Sequence, residues 1–232
     1  MNDERRTMRI LIVCATPVEV GPVVAALGPA RFNGLDSDGT QPRVERYTYA
    51  DRDVDVLLTG VGMVATAAWC SRVLSASQYD LALNLGVCGS FDPDLEPGTV
   101  VHVVKDRIAE LGAEDGDAFL AFHDLALPGE SELLNPGQAN PAIADLPAVR
   151  GITVNTVHGN EQSIAAVVQR FHPQVESMEG AAFMYACVIH EVPFAQVRAV
   201  SNVVEKRNRD AWKMPEAIAN LGTVALRILD HA

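Results

Sequence analysis

The sequence predicts an α/β fold in which helices cover both faces of one central sheet. Short runs of Val, Ile and Leu alternate along the chain with segments of helical periodicity. The runs are apolar throughout rather than at every second position, the pattern of strands buried on both sides. At 232 residues and 48% hydrophobic composition, the chain can enclose one large core, so a single domain with a single site is expected.

The elements follow in order. Residues 1–7, MNDERRT, are short and charged and read as a flexible N-terminal extension; they lack the apolar stretch of a signal peptide, and Met8 can open a domain running from 8 to 232. RILIVCA reads as a strand and PVEVGPVVAAL as a helix. VDVLLTG and GMVATAAWCSRVL repeat the pair, and DLALNLG is a strand leading into a glycine-rich turn. TVVHVV and RGITVNT are strands, and EQSIAAVVQRF and MEGAAFMYACVIH are helices. PFAQVRAVS is a strand and PEAIANLGTVALRILD the closing helix. Residues 28–43 and 105–149 are rich in Gly, Pro, Asp and Asn and read as loops or an excursion from the fold.

Charge and cysteine usage narrow the function. With 30 Asp plus Glu against 18 Lys plus Arg, the field of the protein repels phosphate backbones, which argues against a nucleic acid polymer but not against an uncharged nucleoside. Cys14, Cys70, Cys88 and Cys187 are far apart, without CxxC spacing, so neither a disulfide framework nor structural zinc is expected, and a reducing cytoplasm is. No apolar run reaches the roughly 18 residues of a membrane span. The histidines show no HxH or HExxH spacing, so no metal is expected. TGVGMVATA contains G-x-G-x-x-A, but Asp80, the acid about twenty residues on, precedes its strand instead of ending one. A tight strand-to-helix turn is therefore preferred to a dinucleotide site, and no cofactor is expected.

In such sheets ligands bind beyond the carboxyl ends of the strands, which singles out ATPVEV, GVCGSF, ESMEG and SNVVEKR. Glu19 opens a helix, where a carboxylate also gains from the helix dipole. Glu179 stands at an apolar helix start, where a buried carboxylate demands a partner. Cleavage of a ribosyl bond passes through an oxocarbenium-like state, so one carboxylate can activate water while another holds ribose hydroxyls. The Asn202 amide can donate to a purine. Cys88 reads as a small apolar filler rather than a nucleophile, since its local sequence offers no activating base.

Taken in order, ATPVEV, LLTGVGMVATA, LNLGVCGSF, SMEGAA and VRAVSNVVEKR resemble the site motifs of the purine nucleoside phosphorylase and methylthioadenosine nucleosidase superfamily, across residues 8–232. The resemblance implies a three-layer α/β/α sandwich with a mixed central sheet. It makes Glu19 the water-activating base, Glu179 the ligand of the ribose hydroxyls, and Met178 the residue packed under the sugar. Cys88 and Gly89 would line the substrate site. Asn202 stands where adenosine-type nucleosidases carry an aspartate, and Val87 and Ser177 replace a polar and an acidic residue. SMEGAA with SNVVEKR and Trp212 is most similar to the futalosine hydrolases of menaquinone biosynthesis, which release hypoxanthine from futalosine. A 6-oxopurine suits the Asn202 amide. Trp212 would then stack on the benzoate ring, and Arg207 or Arg209 would meet its carboxylate. The alternatives are a purine nucleoside phosphorylase, a methylthioadenosine/adenosylhomocysteine-type nucleosidase and a non-catalytic purine-binding relative. Related hexameric phosphorylases have an arginine where this chain has Asn84, and no replacement is visible in the sequence. The family implies a homodimer or higher homo-oligomer.

Overall fold

A computed structural model describes residues 7–34, 43–129, 131–135 and 140–232. In chain order the elements are β1 (Arg9–Cys14), α1 (Pro17–Leu27), β2 (Phe32–Gly34), β3 (Arg43–Tyr49), β4 (Arg52–Leu58), α2 (Met63–Ala76) and β5 (Leu81–Ser90). There follow β6 (Val100–Asp106), β7 (Gly112–Asp115), β8 (Ala118–Ala121), β9 (Leu133–Leu134), α3 (Pro141–Ala144), β10 (Ala148–Thr153) and α4 (Glu161–Phe171). The last are β11 (Val175–Ser177), α5 (Gly180–Ile189), β12 (Phe194–Val203) and α6 (Met214–Asp230).

The expected sandwich is present, and β1 explains it residue by residue. Ile10, Ile12 and Cys14 pack with Val20 and Val23 of α1 and Leu221 and Ala225 of α6. Leu11 and Val13, pointing the other way, pack with Cys70 and Val73 of α2 and Phe183 and Met184 of α5. A strand with two buried faces has no polar position to spare, hence its unbroken apolar run.

The main sheet runs β11-β10-β6-β12-β5-β1-β4-β3-β2, with β9 beside β6. Its centre is parallel: β1 pairs with β4 and β5, and β5 with β12. Antiparallel pairings of β6 with β12 and of β3 with β4 make it mixed. At one end the sheet folds back on itself, because β11 pairs with β10 and also, antiparallel, with β5, where Glu176 opposes Gly89. This return brings residues 175–179 to the ends of β5 and β12.

Three readings change. The glycine-rich segment after DLALNLG is not a turn: β5 continues through Gly86 and Gly89 to Ser90, paired along that length with β12. The excursion at 105–149 contains the β7–β8 hairpin, β9 and the short α3. The 28–43 loop contains β2, which with β3 extends the sheet edge, while residues 35–42 lie outside those described. Of the N-terminal extension, residues 1–6 also lie outside them, and Met8 packs on the first core. Among the described residues no helix is long and apolar enough to cross a membrane.

Candidate active site

The loop from β1 to α1 presents the first carboxylate. Glu19 occupies the third position of α1 and turns back on the helix start, its Oε2 accepting from the Thr16 N–H at 2.8 Å and the Thr16 hydroxyl at 2.9 Å. The other oxygen, Oε1, accepts the Val87 N–H at 3.3 Å. Glu19 is buried yet lines a cavity of about 440 Å³, a size suited to a small organic ligand. The bonds to the helix start and the bond to β5 therefore fall on different oxygens of one side chain.

Glu179, just ahead of α5, supplies the second carboxylate to the same cavity. Its Oε1 accepts the Gly62 N–H at 3.0 Å, and its Oε2 lies 3.5 Å from Nη1 of Arg198. Gly62 has a φ of +100°, open to glycine at little cost, which turns its N–H out from the start of α2. The G-x-G-x-x-A segment is thus the strand-to-helix turn expected, and its helix start meets a carboxylate of the protein itself.

Arg198 went unremarked in the sequence, although a single cation inside the apolar strand PFAQVRAVS was the available signal. It is 1% exposed and lies beneath the site, donating to Asn84 Oδ1 and, at 3.4 Å, to Gln196 Oε1. Asn84 donates in turn to the Val13 carbonyl at 3.0 Å. An arginine does therefore reach the Asn84 position, from β12, but it is held inside by protein groups. A buried guanidinium needs such partners to offset its desolvation. Gly86 makes room for it: a Cβ there would overlap the guanidinium and stand 3.0 Å from Glu19 Oε1. Behind Arg198, Gln196 donates to Asp106 at 2.7 Å, and burial pushes the Asp106 carboxyl up to about 7.

Asn202 lines the cavity at the end of β12, just past a register shift between Val200 and Asn202. Its Oδ1 accepts from the Ser201 hydroxyl at 2.8 Å and its Nδ2 donates to the Val203 carbonyl at 2.9 Å. An amide nitrogen carries two hydrogens, so one donor remains. Met178, Cys88, Gly89, Trp212 and Arg207 line the same cavity. Burial raises the Cys88 thiol to about 12, which leaves no thiolate near neutral pH, in keeping with a filler. The guanidiniums of Arg207 and Arg209 each lie 5.8 Å from the Trp212 ring, but of the two only Arg207 lines the cavity. Val87 lines it too, and Ser177 accepts the Gly180 N–H at 3.3 Å at the start of α5. Sequence reasoning also passed over His158 and Glu176, a bonded pair lining the cavity. Among the described residues no group of three or more His, Cys, Asp or Glu side chains is arranged to hold a metal ion.

Known proteins resemble this chain in sequence and in fold. A family model described as the phosphorylase superfamily matches residues 9–230. The chain is 34% identical over 224 residues to the futalosine hydrolase of Streptomyces coelicolor, covering 92% of each chain. It is 31% identical to that of Thermus thermophilus, covering 75% of this chain and 80% of that one. Among solved structures, the fold matches the 5′-methylthioadenosine/S-adenosylhomocysteine nucleosidase of Helicobacter pylori with a TM-score of 0.85 at 15% identity, over 98% of this chain and 100% of that one. The futalosine hydrolase of the same organism gives 0.84 at 16%, over 97% and 99%. At such identities the structural likeness speaks for the fold alone. The superfamily is therefore that of the phosphorylases. Within it, the chain belongs to the futalosine hydrolase family.

Proposed function

We propose that the protein is an N-glycosyl hydrolase that releases hypoxanthine from futalosine with water, leaving dehypoxanthine futalosine, a step of menaquinone biosynthesis. The carrying observation is that Glu19, Glu179 and Asn202 line one cavity. Glu19 takes a proton from water as its oxygen attacks C1′. Glu179 holds the ribose hydroxyls, and Met178 packs under the sugar. The bond from C1′ to the base nitrogen breaks with its electron pair going to the purine, and the remaining amide donor of Asn202 stabilises the departing base. Cys88 and Gly89 form wall beside the base, Trp212 stacks on the benzoate ring, and Arg207 meets its carboxylate.

Hydrolysis is favoured over phosphorolysis by the placement of the arginines. Phosphate needs cations around it; Arg198, beside Glu179, is buried against Glu179 and Asn84, and Arg207, which does line the cavity, is assigned to the benzoate carboxylate. The deciding experiment incubates the purified protein with futalosine, inosine and methylthioadenosine in phosphate-free buffer and identifies the products. Free hypoxanthine from futalosine without phosphate is expected. A sugar 1-phosphate, with turnover rising from zero as phosphate is added, would replace the hydrolase reading with phosphorolysis.

The catalytic domain is taken as residues 8–232, working in the cytoplasm as a homodimer or higher homo-oligomer. Four free, buried cysteines suit a reducing compartment. Association between copies is supported by the exposed Val61, Val64, Tyr185, Val188 and Ile189 on and beside the packed helices α2 and α5, a patch that reaches the cavity at Val61.

A further inference from the structure

We propose that Glu176, held by His158, reads the ring N–H that distinguishes a 6-oxopurine from a 6-aminopurine, acting beside Asn202; this rests on the purine nucleosidase reading above. Glu176 is a carboxylate only 4% exposed on the wall of the same cavity. Burying such a group without a strong partner is costly. Among the described residues no lysine or arginine forms an ion pair with it. His158 holds it instead, the backbone N–H donating to Oε1 at 3.0 Å and the ring Nδ1 lying 2.6 Å from Oε2. Phe91 packs edge-on against the imidazole.

Each carboxylate oxygen retains a lone pair after these bonds, so the group can accept once more, from a ligand. Its position says which part of the ligand. The antiparallel pairing of β11 with β5 sets Glu176 opposite Gly89, while β12 sets Asn202 opposite the same glycine. A Cβ on Gly89 would meet Val204 Cγ2 at 2.7 Å, Asn202 Nδ2 at 3.4 Å and Glu176 Cγ at 3.5 Å, so both polar side chains close in on the same glycine. The cavity lining thus holds an amide donor and a carboxylate acceptor across one glycine. A 6-oxopurine presents the complementary pair, an acceptor at O6 next to a donor at N1–H. A 6-aminopurine presents the reverse, and its N1 lone pair would face the carboxylate. Glu176 thereby supplies the half of the discrimination that Asn202 cannot supply alone.

Free bases test this without catalysis. Calorimetric dissociation constants are measured for hypoxanthine, 1-methylhypoxanthine and adenine, with the wild type and with Glu176→Gln, whose folding is checked by circular dichroism. The wild type is expected to bind hypoxanthine about tenfold or more tightly than either other base. In Glu176→Gln the preference over adenine should fall by a similar factor. Equal wild-type affinity for hypoxanthine and 1-methylhypoxanthine would overturn the proposal whether or not the variant folds. A preference that survives intact in a folded Glu176→Gln would overturn it while leaving the purine reading standing. A wild type that binds neither base, or prefers adenine, would remove both.

Discussion

Glu19 bonds the start of α1 and is proposed as the general base, and a single substitution separates the two roles. Glu19→Gln keeps an oxygen for the Thr16 N–H and the volume of the side chain, so the start of α1 should hold. It cannot take a proton from water. Turnover of futalosine should fall by about a hundredfold or more, the scale of a lost general base, with thermal unfolding little changed. Wild-type kcat in the folded variant would reduce Glu19 to a helix cap. At Asn202 the question is specificity. An aspartate there loses both amide donors and sets charge near O6, whereas a 6-amino group offers it a donor. For Asn202→Asp, the ratio of kcat/KM for futalosine to that for its 6-amino analogue should therefore drop by roughly tenfold or more. An unchanged ratio would mean that Asn202 does not read the base.

Strand β5 and its neighbour β12 carry the site between them, and their close contact hinges on Gly86. The strands pair in register there, Arg198 opposite Gly86, and the guanidinium occupies the space a side chain at 86 would fill. Gly86→Ala must push Arg198 off Glu179 or open the pairing, and either leaves a buried charge short of its partner. The expected cost is about 3 kcal/mol of stability, read from urea unfolding, together with loss of turnover. A variant as stable and active as the wild type would show that Arg198 has slack in its seat.

Across the whole molecule, two buried titratable groups oppose each other as pH changes. Burial lowers His102 to about 4, below its ordinary 6.5, and its Nε2 has no hydrogen-bond partner. Between those values the unfolded chain takes up the proton that the folded one refuses, so this contribution is present above 6.5 and is lost as pH falls toward 4. Asp106 behaves in the opposite sense. Raised from 3.8 to about 7 by burial, it favours the folded state at low pH and loses that contribution as pH rises through 7. In the wild type the two slopes offset each other across this window. His102→Leu removes one of them. Its stability relative to the wild type should therefore be greater at pH 5 than at pH 8, by up to about 1.4 kcal/mol per pH unit crossed. Urea unfolding at both pH values checks this, and a constant difference would mean that His102 titrates normally in the fold.

The layered α/β fold was legible because a strand covered on both faces must be apolar at every position, a condition written in consecutive residues such as Ile10–Cys14. Glu19, Glu179 and Asn202 were legible because each follows or ends an element, where α/β sheets present ligands. The three-residue β11 is too short to show a period, and the glycines of β5 imitate a turn until β12 is seen beside them. Arg198 and the His158–Glu176 pair lay in plain sight as residue types. What they do depends on which side chains face them across pairings 114 residues apart for Arg198 and Asn84, and 18 apart for His158 and Glu176. The sequence by itself therefore determined the layers and the carboxylates at the strand ends. Only the tertiary structure decided that an arginine lies buried beneath them and that a third carboxylate, held by His158, lines the same cavity, because burial and charge pairing belong to the packed chain and not to its order.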